Sequence, residues 1–389
     1  MKDDTKLVTS GRDPEKQLGA VNTPVYHAST ILFPNVQALE DAWHGRGDWL
    51  LYGRRGTPTT FGLQDALAEL EGGFDCRLVP SGLAAITTAL LAYLDSGDHL
   101  LMVDSVYGPS RAFCDGLLRR MGVETTYYDP LIGAGIAALM RPNTKVVFVE
   151  SPGSVTFEVQ DIPAIAEAAH AGGAVCIMDN TWATPLFFKP FSHGVDVSVH
   201  AGTKYIVGHS DAMLGTITTT EEAWPKLIDA HNELGLCAGP DDVYLGQRGL
   251  RTMGARLRQQ QETGLKLARW LAERPEVERV LHPALPSDPG HDLWKRDFNG
   301  ASGLFGAVLK PCSQDAVTAL VDDLELYGLG YSWGGYESLI MFYDPSKMRT
   351  ATTWDAPGPT IRIHAGLEDP DDLIADLDKG FSRFNAACG

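Results

Sequence analysis

A chain of 389 residues, 44% hydrophobic and 21% charged, has an ordinary globular balance and length enough for two or three domains. Fifty acidic against 32 basic side chains leave a formal charge of −18, which argues against nucleic acid or an anionic membrane surface as partner but not against small anions held by a few arginines. The six cysteines form no Cys-x-x-Cys pair and read as free thiols; the polar N-terminal stretch lacks a signal peptide's apolar core, and no apolar run approaches the roughly 20 residues of a membrane span, so the chain is expected to be soluble and cytoplasmic.

Residues 1–58 scatter aromatic side chains (Tyr26, Phe33, Trp43, Trp49, Tyr52) among polar and Gly/Pro-containing stretches. Such an arm cannot bury those rings on itself and is expected to lie on another surface, that of a neighbouring subunit. From about residue 60 the pattern becomes regular. FGLQDALAELEG reads as an amphipathic helix closed by Gly72–Gly73, and CRLVP as a strand feeding a helix that starts at Ser81-Gly82. Short apolar runs at 99–103, 123–128, 144–150, 174–179 and 196–200 read as buried strands, with helices at 110–121 and 161–171. Strands alternating with helices predict an α/β fold, a mainly parallel central sheet covered on both faces, over 59–250. A long helical region at 241–273, with Gly249 and Gly254 as candidate breaks, leads into strands at 277–281, 303–309 and 360–364 and helices at 313–325 and 370–386. This mixed order predicts a smaller C-terminal α+β domain over 251–389.

The segment AVCIMDNTWATPLFFKPFSHGVDVSVHAGTKYIVGHSDAMLG (174–215) carries the chemistry. Asp179 ends an apolar strand, where an ionised carboxylate is costly without a cationic or hydrogen-bonding partner. Lys204 follows the next apolar strand in a turn of small residues that leaves little reach to solvent. A buried lysine has a lowered pKa and forms a Schiff base with an aldehyde; a buried aspartate keeps a pyridine nitrogen protonated and the ring electron-poor. A plain buried Asp–Lys ion pair fits these two residues equally well.

A phosphate site favours the cofactor. Ser81-Gly82-Leu83 opens a helix directly after a strand, so free backbone N–H groups and the helix dipole face any ligand there, and Thr203 can add a hydroxyl. YGRRGT (52–57) offers two guanidiniums suited to phosphate or carboxylate, with a solvated basic turn as the plainer reading. Tyr107, just past a strand end, is a candidate to stack on a planar ring, with a buried loop tyrosine as the plainer reading. Arg362, between apolar strand positions in TIRIH, needs an anionic partner, and a substrate carboxylate is a natural one. Gly133-Ala-Gly135 with Glu150 downstream imitates a dinucleotide fingerprint, but Pro130 and Pro142 leave no room for its strand and helix. No metal-ligand spacing occurs among the histidines, and no metal is expected.

Across nearly its whole length the chain resembles the Cys/Met-metabolism family of pyridoxal-phosphate enzymes. The likeness rests on GAVNTPVYHASTILF, YGRRGT, FVESPGS, DNTWATPL, TKYIVGHSDAMLGT, RGLRTMGARLRQ, YSWGGYESL and IRIHAGLEDPDDLIADL. The SWGG string, with Trp333, points to the branch that breaks the Cβ–S bond of cystathionine. A γ-lyase or cysteine desulfhydrase on the same scaffold is the alternative, and a cofactor-bound but non-catalytic protein is a second class. The resemblance implies a fold-type-I, aspartate-aminotransferase-like subunit, pyridoxal 5'-phosphate as cofactor, a small sulfur amino acid as substrate, and a homotetramer built from two dimers. It implies Lys204 and Tyr107 as catalytic residues, Lys204 bearing the cofactor, Asp179 at its ring nitrogen and Tyr107 on its ring. Gly82, Leu83 and Thr203 would bind its phosphate, and Tyr52 and Arg54 the phosphate of the adjacent subunit's cofactor. Arg362, with Ser332, Trp333, Tyr107 and Arg54, would bind substrate. Asn232 departs from the tyrosine that many relatives carry near that position.

Overall fold

Seven short strands with apolar or hydroxyl-bearing side chains assemble into one sheet in the computed structural model, which describes residues 1–47 and 49–388. They are β1 (Asp75–Val79), β2 (His99–Val103), β3 (Glu124–Tyr128), β4 (Thr144–Glu150), β5 (Val175–Asp179), β6 (Val197–Ala201) and β7 (Gly215–Thr219). Their spatial order is β1-β7-β6-β5-β4-β2-β3, and every strand runs parallel except β7, which is antiparallel to both β1 and β6. The inner strands are apolar on both faces because helices cover both, as parallel sheets require. β2 is buried at all five positions.

A second sheet of five strands follows: β8 (Val277–Leu281), β9 (Leu304–Leu309), β10 (Gly328–Leu329), β11 (Leu339–Tyr343) and β12 (Thr360–His364), ordered β10-β11-β12-β9-β8. It has its own apolar core with Phe305, Ile340, Ile361 and Phe381. The helix Met253–Ala272 joins the two, giving Leu257 to the first core and Leu267 and Leu271 to the second. The parallel sheet expected from strand–helix alternation is present, and so is the mixed second sheet.

Three details differ from the sequence reading. β7 has the sequence GTITT, whose threonines read as polar, yet all five residues are buried. Pairing with a strand on each side buries it; the Thr218 hydroxyl donates to Glu71 at 3.2 Å, while those of Thr216 and Thr219 are buried without a partner. The long helical region breaks at Arg251-Thr252, between helices Pro240–Leu250 and Met253–Ala272, and both candidate glycines lie inside helices. The first ten residues do pack. The helix Asp3–Thr9 buries Leu7, and Arg251 donates to the Leu7 and Ser10 carbonyls at 2.7 and 2.9 Å, which closes the helix end. Beyond it the arm leaves Leu18, Leu32, Val36 and Trp43 exposed. Among the described residues no helix is long and apolar enough to cross a membrane.

Candidate active site

Strand register sets the site. Asp179 closes β5 opposite Glu150 at the end of β4 and Val199 on β6, so the carboxyl ends of three parallel strands line up at one edge of the sheet. Past β6 the chain turns tightly: the Lys204 N–H donates to the Ala201 carbonyl at 3.0 Å and the Gly208 N–H to the Lys204 carbonyl at 2.7 Å. This places Lys204 in the wall of a cavity of about 420 Å³ whose other residues include Gly82, Leu83, Tyr107, Asp179 and Arg362. Residues from 81 to 362 converge there, which no local reading could display.

The helix Gly82–Tyr93 aims its N-terminus at this cavity. Ser81 is its N-cap, the hydroxyl accepting from the Ala84 N–H at 3.1 Å, so the N–H groups of Gly82 and Leu83 are left facing outward. A side chain at position 82 would put its Cβ 2.4 Å from that of Ala201; only glycine lets the helix end come down on β6. The Thr203 hydroxyl is engaged locally, accepting from the Leu214 N–H at 2.9 Å.

Burial, then the Arg362 charge, pull the Lys204 amine down to about 8, partly offset by Asp179. Lys204 Nζ lies 2.5 Å from the Ser332 hydroxyl and 5.3 Å from the Trp333 ring centre. Ser332 adopts a left-handed φ of +79°, a strained conformation for a non-glycine residue. Its neighbour Gly334, at φ +88°, lies so close that an added Cβ would meet the Lys204 backbone at 3.0 Å. The loop is thereby pressed against the lysine. Ser332 also accepts, through its carbonyl, a 3.0 Å bond from Arg362 Nη2.

Arg362 on β12 is only 9% exposed, and its guanidinium sits 5.2 Å from the Tyr343 ring centre. Burial lowers its pKa, with Tyr343 and Tyr107 acting the other way; no carboxylate contributes. A recessed guanidinium that faces a cavity and has no carboxylate partner among the described residues is a receptor for an anion. Asp179 is the complementary case. Burial raises its carboxyl, opposed by the Thr181 hydroxyl and N–H at 2.5 and 2.9 Å and, more remotely, by His200 and Lys204. No cation among the described residues forms an ion pair with it.

These features fit pyridoxal phosphate. The orphan carboxylate matches a protonated ring nitrogen, the deprotonable lysine an aldehyde, and the glycine-floored helix end a phosphate. Tyr107, 44% exposed, lines the same wall. Tyr52 and Arg54 do not meet this cavity within the chain. They line a separate one of about 210 Å³, where Arg54 Nη1 donates to the Asn232 carbonyl at 3.3 Å. The sequence reading passed over Glu150, Thr181 and Tyr343. Glu150 carries the same signal as Asp179, an acid ending an apolar strand, which the dinucleotide imitation upstream obscures. The glycines of that imitation fall in a 3₁₀ segment, Gly133–Leu139, outside the cavity lining.

Asp104, just past β2, pins a distant loop beside Tyr107. Its buried carboxylate accepts from Arg111 Nη2 at 2.6 Å and from the N–H groups of Thr350, Ala351 and Thr352 at 3.0, 3.1 and 2.8 Å. Burial pushes this carboxyl up, but the Thr350, Thr352 and Arg111 bonds outweigh it and hold it below its usual value. A folded pKa below the unfolded one stabilises the fold above about pH 4, and that contribution disappears as pH falls further. Asp104→Ala is expected to cost about 3 kcal/mol at neutral pH and to flatten the acid limb of stability against pH. Denaturant melts of both proteins at neutral and acid pH check this; parallel curves separated by the same gap at every pH would refute it.

The model of the family described as Cys/Met metabolism PLP-dependent enzyme matches residues 4–382. A putative cystathionine beta-lyase of Rhizobium johnstonii is 53% identical over 386 residues, covering 98% of this chain and 96% of that protein. The cystathionine beta-lyase MetC of Escherichia coli is 49% identical, with 98% of each covered. A crystal structure of cystathionine gamma synthase from Xanthomonas oryzae, in complex with aminoacrylate and cysteine, superposes with a TM-score of 0.90 at 33% identity, covering 100% of this chain and 99% of that one.

Proposed function

Since the chain belongs to the Cys/Met metabolism PLP-dependent enzyme family, we propose that it cleaves the Cβ–S bond of L-cystathionine to give homocysteine, pyruvate and ammonia. The observation that carries the reading is the meeting, in one cavity, of a lysine with its amine lowered to about 8, a carboxylate and a guanidinium, neither of the latter two with an ion-pair partner among the described residues. The named beta-lyases at 53% and 49% identity support the choice of reaction.

When bound, pyridoxal 5'-phosphate supplies an aldehyde for amines and an electron-poor ring that draws charge away from the substrate's Cα. Lys204 bears the cofactor at rest. Its amine, lowered to about 8, would remove the substrate's Cα proton as a general base and return a proton to the departing sulfur. Asp179 would hold the proton on the cofactor's ring nitrogen, and the Thr181 bonds keep that carboxylate oriented. The N–H groups of Gly82 and Leu83, with Thr203, take the phosphate at the helix end. Tyr107, in the cavity wall, would lie against the ring.

Arg362 would bind the substrate's α-carboxylate, aided by Ser332 and Trp333, whose ring packs 5.4 Å from that of Tyr205. Tyr52 and Arg54 serve the phosphate and substrate of an adjacent subunit. Their distance from the chain's own cavity and the exposed apolar side chains of the arm both favour a homotetramer built from such pairs.

An assay of products from L-cystathionine tests the reaction. Pyruvate and homocysteine in equal amounts are expected. Formation of 2-oxobutyrate and cysteine would assign a γ-lyase, turnover of cysteine but not cystathionine a desulfhydrase, and no turnover by cofactor-loaded protein a non-catalytic role; each outcome overturns the proposal.

A further inference from the structure

Glu150 has no part in the chemistry assigned above, yet it stands beside it. It pairs in register with Asp179 across β4 and β5, so the two carboxylates leave adjacent strands toward the same face, and both line the cavity. Their surroundings differ. Asp179 accepts two bonds from Thr181, one N–H and one O–H, both of which favour a charged oxygen. Glu150 accepts one, from the Tyr107 backbone N–H to Oε2 at 2.8 Å. No cation among the described residues offsets its charge.

The end of β4 is itself firmly held. The Glu150 N–H donates to Gln160 Oε1 at 2.9 Å, Gln160 Nε2 to the Tyr128 hydroxyl at 3.2 Å, and the Gln160 N–H to Ser151 Oγ at 3.0 Å. Gln160 is fully buried. An anchored strand end thus presents a carboxyl group to the residue whose ring lines the cavity, one position ahead of the helix Gly108–Phe113.

Building on the cofactor roles given above, we infer that Glu150 is a positioning residue for Tyr107 and the neutral member of the Glu150–Asp179 pair, accepting the Tyr107 N–H while the pair's single negative charge stays on Asp179. Two adjacent carboxylates in a recess share one proton more readily than they hold two charges. The oxygen with fewer donors takes that proton. Burial and the Asp179 charge together raise Glu150 well above the ordinary carboxylate range, against the single opposing bond from Tyr107.

Two measurements test the inference, neither depending on the reaction catalysed, so an error in the substrate assigned leaves both interpretable. The first is the dissociation constant of pyridoxal 5'-phosphate, from absorbance titration of apo protein. Glu150→Gln, which keeps a neutral oxygen acceptor, is expected to bind within about threefold of the parent, and Glu150→Leu, which strands the Tyr107 N–H, about tenfold or more weakly. Equal weakening in both variants would show that charge is what matters, and wild-type affinity in the leucine variant would remove the positioning role. The second is an infrared difference spectrum between the parent and Glu150→Gln at neutral pH, where the stretch of a protonated carboxyl is expected in the parent alone. Its absence from the parent overturns the neutral assignment even if the leucine variant does not fold.

Discussion

Lys204→Ala is expected to abolish the visible absorbance of cofactor-loaded protein and to lower turnover by about a thousandfold or more, because one amine both carries the cofactor and moves the Cα proton. The fold should survive. Lys204 Nζ has Ser332 Oγ as a partner within the chain, and burying an ammonium is a cost that alanine removes. The lowered amine also predicts how pH governs cofactor capture. Only the neutral amine attacks an aldehyde, so the rate at which apo protein takes up cofactor should climb about tenfold per pH unit below about 8 and level off above it. A stopped-flow series across that range checks it; a rate still climbing above pH 10 would mean an ordinary exposed lysine.

Asp179→Asn is the second large effect. Asparagine can still accept the Thr181 N–H through its oxygen but cannot balance a protonated ring nitrogen, so cofactor affinity should fall by about 3 kcal/mol, on the order of a hundredfold, and turnover with it. The same substitution should leave the apo protein equally stable or slightly more so. Burial raises the Asp179 carboxyl in the absence of a close cation, which means that the empty site pays for the charge. Melting temperatures of apo and loaded protein, measured for parent and variant, separate these effects. A drop in the apo protein as large as that in the loaded one would make Asp179 a structural residue and not a cofactor ligand.

Much of this site is legible in the sequence because its principal residues sit where strands end. Asp179 and Lys204 follow apolar runs, and Gly82 follows Ser81 at a strand-to-helix junction; each position is marked by a break in local pattern. Arg362 stands out as a guanidinium in an otherwise apolar strand. What the sequence cannot display is adjacency across strands. Glu150 meets Asp179 only through the β4–β5 register, and Tyr343 meets Arg362 only because β11 pairs with β12. LIMFY, the β11 run, has ample apolar character but follows the glycine- and serine-rich SWGGYES, which hides its start. β7 is masked more deeply, since its three threonines resemble a loop and its burial comes only from backbone pairing with β1 and β6. Tyr52 and Arg54 are conspicuous as a basic, aromatic loop, yet their cavity is not the one that holds Lys204.

Lys204 and Asp179 would grip opposite sides of one cofactor ring from the same cavity wall. Borohydride reduction of the loaded protein, followed by peptide mass mapping, tests the amine directly. The reduced cofactor should be found on the peptide containing Lys204, in a yield matching the lost absorbance, and on no other lysine. Label on Lys145 or Lys189 with an unmodified Lys204 would contradict the assignment of the site.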